Sequence, residues 1–130
     1  MTPGGLTRWL RLAGLALGIG FFLWLPFEDL DILWPLVFAA LIILWLAARL
    51  WLSLPKHLAA RWAALPLLGT LAGLLVAPLA LFLMAVKTGV HGHSGPDFSG
   101  SQIIATLART PYWTLAGLLL GGGLALWRKV

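Results

Sequence analysis

Cysteine is missing from all 130 positions of this chain. That excludes disulfides, thiolate metal sites and cysteine nucleophiles, and it leaves no redox compartment to be read. Charge is scarce too. Only 10% of the residues are Asp, Glu, Lys or Arg, against about 25% in an ordinary soluble domain. The acids are only Glu28, Asp29, Asp31 and Asp97. No charged residue and no histidine falls near the middle of an apolar run. Proton-coupled transporters and ion pumps usually need such groups there, which argues against a stand-alone transporter of charged substrates.

What the chain does have is apolar surface. Hydrophobic residues make up 61% of it. A soluble fold this small leaves too much of its surface exposed to hide that fraction, so lipid is the natural solvent. The length suits a single transmembrane domain over residues 1–130.

Charge-free stretches mark the spans. They run from Leu12 to Phe27, Ile32 to Ala48, Trp62 to Val86 and Thr110 to Trp127. A bilayer core needs about 20 mostly apolar residues in a helix. Flanking tryptophans and snorkelling arginines extend the shorter stretches. The expected spans are 10–27, 32–52, 62–86 and 111–127, with an outer loop over 87–110. Pro66 falls in the first turn of the third span and Pro78 in its interior, where it should kink the helix. Arg8 and Arg11 before an apolar run resemble a signal peptide, but no small-residue cleavage site follows, so the segment is expected to be retained.

The basic residues give direction. With the N-terminus inside, Arg8, Arg11, Arg49, Lys56, Arg61, Arg128 and Lys129 lie on the inner side, and only Lys87 and Arg109 on the outer. Seven against two is a strong positive-inside bias, which puts both termini in the cytoplasm. The net charge of +5 then faces anionic lipid headgroups on the cytoplasmic side and needs no nucleic acid to explain it. Trp9, Trp51, Trp62 and Trp127 fall near the inner interface, and Trp24, Trp34 and Trp113 near the outer one, where indole rings favour the headgroup boundary. Trp45 falls deeper.

Small residues recur four apart: Gly14 and Gly18, Gly69 and Gly73, Gly117 and Gly121. That spacing puts each pair on one helical face. Close backbone approach is a main source of attraction between helices in lipid, so these glycines are expected to pack helix against helix, within the chain or against a second copy.

The outer loop carries its own signals. Ser99 and Gln102 have the spacing of a capping box, and Phe98 and Ile103 that of a hydrophobic staple. A short amphipathic helix should follow, with Ile103, Ile104 and Leu107 on its apolar side and Gln102, Thr106 and Arg109 on its polar side. Thr110-Pro111 then reads as a new N-cap and first helical residue, feeding at a sharp angle into the fourth span.

Before that helix stands Val90-His-Gly-His-Ser-Gly-Pro-Asp-Phe-Ser-Gly100. His91 and His93 would point the same way in an extended segment, and Asp97 follows a Gly-Pro turn. Two imidazoles and a carboxylate suit Zn²⁺ or Cu²⁺ with an open coordination position. The favoured alternative is a tight re-entry turn, its polar groups satisfying the backbone. The fold expected is therefore all-α: an integral membrane four-helix bundle with a short amphipathic surface helix between its third and fourth spans. The function expected is that of a non-enzymatic accessory or structural subunit of a membrane assembly. The alternatives are a metal- or cofactor-binding membrane protein using His91, His93 and Asp97 and, behind it, a small membrane enzyme using the same loop.

Overall fold

A computed structural model describes residues 3–27, 31–92 and 97–128. Six helices follow one another: α1 (Pro3–Trp24), α2 (Leu33–Ser53), α3 (Lys56–Ala59), α4 (Ala64–His91), α5 (Gly100–Leu107) and α6 (Thr110–Trp127). There is no strand among the described residues. Four segments are long and apolar enough to cross a membrane: Gly5–Trp24, Leu33–Ser53, Ala64–Val90 and Gly100–Trp127. The last joins α5 to α6.

Local chemistry sets the helix ends. Asp31 Oδ1 accepts the Leu33 backbone N–H at 2.9 Å, satisfying one orphan donor at the start of α2. Pro35 follows in the first turn, where its missing N–H costs little. Pro66 stands in the first turn of α4, and Pro78 lies inside that helix without ending it. α4 stops at Gly92, whose φ of +64° is the left-handed cap geometry that glycine adopts without a Cβ penalty.

The helices pack as an open row. α4 lies against α6 on one side and α2 on the other, and α1 rests chiefly on α2. No comparable interface joins α1 to α6, so the expected four-helix bundle is not closed. The reason lies in where the small residues fall. Ala39 and Ala80 are fully buried between α2 and α4, where Leu36, Ile43, Val76 and Leu83 complete the core. Those positions recur every three to four residues on each helix, one stripe per helix. α1 has no such stripe: none of its membrane-length window is buried.

The chain direction alternates, which sorts the charges. The α2–α4 connection, the N-terminal end of α1 and the C-terminal end of α6 lie together at one end, with Arg8, Arg11, Arg49, Lys56, Arg61 and Arg128. We refer to this as the basic end. Asp31 and Asp97 lie at the opposite end.

Candidate functional site

The closest helix contact is the α4–α6 seam. A Cβ built on Gly69 would strike the Gly117 carbonyl oxygen, and one built on Gly117 would strike the carbonyl of Gly69. A Cβ on Gly73 would meet the Trp113 carbonyl, and one on Gly121 the Leu65 carbonyl. Each step up α4 matches a step down α6, so the register is antiparallel. At each contact the glycine C–H that replaces Cβ points at a facing carbonyl, the arrangement of Cα–H···O contacts between close helices. Lipid offers no hydrophobic drive between helices, and such close packing takes its place.

Gly14 does something different. Its missing side chain makes room for an indole: a Cβ there would lie 2.6 Å from Cζ2 of Trp45. Trp45 Nε1 donates to the Leu10 carbonyl at 2.7 Å, tying α2 to α1. Trp45, expected away from the span ends, thus has a partner for its indole N–H. Gly18 makes no such approach, since a Cβ built on it meets nothing within 4 Å.

At the end opposite the basic one, Lys87 is fully buried. Its Nζ lies 3.9 Å from the ring centroid of Trp24, near enough for a cation–π contact. Phe21 and Phe38 pack on the same indole, with centroids 5.9 and 5.5 Å away. Trp24 Nε1 is buried and has no hydrogen-bond partner among the described residues. The sequence reading placed Lys87 at the start of the outer loop. It is instead a helical residue, because α4 continues through His91. The outer loop is correspondingly shorter than expected. The signal for the longer helix was Gly92, which stands where a left-handed cap would be needed.

α5 carries the expected capping box. Ser99 Oγ accepts the Gln102 N–H at 3.3 Å, and Gln102 Oε1 accepts the Ser99 N–H at 2.8 Å. Phe98, just before the cap, is buried. One residue of its polar side goes inside, however, while Arg109 of the same side stays exposed. Thr106 is fully buried, and Ile104 and Leu107 are exposed. Two facts allow this. The Thr106 hydroxyl donates to the Gln102 carbonyl at 2.8 Å, so burial leaves it satisfied. Threonine is also smaller than its apolar neighbours and fits beside Met84, whose sulfur lies 4.0 Å from the hydroxyl oxygen. Thr110 is not an N-cap either. Its hydroxyl donates back to the Leu107 carbonyl at 2.7 Å, and Ala108 and Arg109 keep right-handed helical angles, so α5 leads into α6 without an extended residue.

The histidine loop is held at both ends by helices. His91 is the last residue of α4, and Asp97 stands two residues before the α5 cap. His91 is therefore helical, where the sequence argument took an extended segment. His93 lies outside the described residues, with Ser94, Gly95 and Pro96. Among the described residues, no three of His, Cys, Asp and Glu come together in a metal-holding group.

At the basic end, Arg128 closes the gap between helices. Its Nη1 donates to the Ala59 carbonyl of α3 at 3.1 Å, and its guanidinium carbon lies 5.1 Å from the Trp51 ring centroid. Between α2 and α6, with α4 as its floor, an apolar groove of about 330 Å³ opens beside these residues.

The comparisons with known proteins add no relative: no protein-family model, curated protein or solved structure matches the chain.

Proposed function

We propose that this chain is a small multi-pass membrane protein that serves as a non-enzymatic accessory or structural subunit of a larger membrane assembly. The open row of helices is the observation that carries this reading. Its strong contacts run along the α2–α4 core and the α4–α6 seam, and the outer edges are left bare. α1 is apolar and has no buried window, and α6 presents Gly122 and Gly123 with nothing within 4 Å of a built Cβ. Such edges suit lipid and neighbouring helices, which other membrane subunits or a second copy would supply. In this reading both termini face the cytoplasm, and the basic end faces its anionic headgroups.

Two measurements test it. Single cysteines at Ser53 and Ser101, in a chain with no other cysteine, should label from opposite sides of the membrane. Labelling from the same side would overturn the topology. Purification from the native host membrane in a mild detergent, with mass spectrometry, should recover the chain with other membrane polypeptides. Recovery of an isolated monomer with stoichiometric Zn²⁺ or Cu²⁺ would instead favour the metal-binding alternative at His91, His93 and Asp97.

A further inference from the structure

The groove at the basic end combines two kinds of surface. Along its floor the backbones of Gly69, Gly117 and Gly121 meet at the seam, beside Leu65, Leu68 and Ala72 of α4. Its walls are aliphatic and aromatic, with Leu44 and Trp51 from α2 and Leu120 and Leu124 from α6. Its volume of about 330 Å³ is within the roughly 300–1,000 Å³ of small-molecule sites. At its mouth the chemistry changes. Arg128 lines the groove and also lines a smaller pocket of about 130 Å³ with Arg61 and Trp62. Leu65 and Arg128 border both spaces. Arg61 and Arg128 are both exposed. A guanidinium has five N–H donors, and the Ala59 carbonyl accepts one from Arg128. Both described acids, Asp31 and Asp97, belong to the opposite end of the helices.

We propose that this groove is a binding site for one anionic phospholipid. An acyl chain lies along the Gly69–Gly117 floor, and the phosphate is held between Arg61 and Arg128. The charge complementarity selects the occupant. An apolar trough alone would take any lipid tail, or the helix of a second copy. Arg128 at its mouth, with Arg61 in the smaller pocket that Arg128 also lines, favours a phosphodiester carrying net negative charge, because guanidinium groups donate in pairs to phosphate oxygens. The trough and the paired cations meet at the level of Trp51 and Trp127, both of which line the groove. Indole rings mark the headgroup boundary, so a lipid entering there has its phosphate and its chain in the right order. Basic pockets between membrane helices hold lipid headgroups by the same forces. The proposal rests on the membrane reading above, but not on the existence of partner subunits.

The test uses the full chain in detergent micelles. Binding is measured by native mass spectrometry and by the shift of unfolding temperature. The probes are phosphatidylglycerol, phosphatidylcholine with identical acyl chains, and glycerol phosphate without chains. The expected result is a preference of about five- to thirtyfold for phosphatidylglycerol over phosphatidylcholine, the effect of one to two basic residues near an anionic headgroup. Glycerol phosphate should bind more weakly than either lipid. Arg61→Gln with Arg128→Gln should erase the preference and leave helix content unchanged. Ala48→Phe, which fills the groove from α2, should weaken both lipids. Equal binding of the two lipids would overturn the proposal, as would a preference that survives the double arginine variant. A dimer disrupted by Ala48→Phe, with no lipid preference, would assign the groove to a second copy instead and overturn it too. A chain recovered from cells in the aqueous fraction would overturn the membrane reading itself.

Discussion

Gly121 and Gly122 are neighbours on one helix with opposite surroundings, so a methyl group added to each gives a matched pair. A Cβ on Gly121 would run into the Leu65 carbonyl, lying 2.8 Å from its carbon and 3.1 Å from Pro66 Cα. Carbon atoms in contact settle about 3.5–4.0 Å apart, so α6 must retreat from α4 by roughly 0.7–1 Å. The obstacle is backbone, which cannot swing aside as a side chain would. Retreat by that much forfeits about a quarter to a half of each affected contact along the seam. A Cβ on Gly122 meets nothing within 4 Å. Both variants share the same gain in helix propensity, up to about 1 kcal/mol for Ala over Gly, so it cancels between them. The difference left is the clash, about 1–3 kcal/mol against Gly121→Ala. The assay is reversible unfolding in mixed micelles titrated with a denaturing detergent, followed by circular dichroism. Equal stability of the two variants, or a more stable Gly121→Ala, would refute the seam. Gly121→Leu should be more damaging than Gly121→Ala. Gly69→Ala and Gly117→Ala should together cost less than their sum, because one retreat relieves both contacts.

Other perturbations probe the remaining links. A double-mutant cycle of Lys87→Met and Trp24→Leu should show coupling of about 1–2 kcal/mol, as for a desolvated cation on an indole, and additive single effects would refute the contact. Trp45→Phe should cost about 0.5–1.5 kcal/mol through its lost hydrogen bond. Its hydrogen exchange should quicken in α1 and not in α6, and unchanged exchange in α1 would refute the tie. Ser99→Ala should cost about 1 kcal/mol by removing the cap, with faster exchange confined to Gly100–Leu107. Replacing His91 and His93 together by alanine should give only a modest melting shift, with no metal in either protein. Loss of stoichiometric Zn²⁺ or Cu²⁺ on that change would overturn the turn reading of the loop.

The positions of the helices were legible because hydropathy is a property of the chain in one dimension. Four charge-free stretches led to four membrane-length segments, and the Ser99–Gln102 spacing led to the capping box seen. What escaped depends on neighbours brought from elsewhere in the chain. Lys87 looked like a residue for water because nothing nearby in sequence marks Trp24, Phe21 and Phe38 as its surroundings. The burial of Thr106 escaped because patterning ranks residues by polarity and put it on the polar side of α5. The structure chose Thr106 for the inside by its size and its local hydrogen bond. Gly14 and Gly18 share the same spacing motif, yet only Gly14 makes a close approach to another helix. Trp45 decides that, by reaching across from α2. The histidine loop is the least legible part, since a turn and a ligand set call for the same polar residues.

The unequal helix contacts have a consequence for how the protein is made. Synthesis delivers α1 first and α6 last. The firmest seam, between α4 and α6, therefore forms after the α2–α4 core, whereas α1 must wait for α2 to bring Trp45 to the Leu10 carbonyl. Among the described helices, α1 is thus the least anchored while it waits for its partner, and α4 keeps its glycines uncovered until α6 follows. A ribosome stalled before α6 would leave Gly69 and Gly73 uncovered, and in the membrane reading proposed above that is a surface quality control could recognise as unfinished.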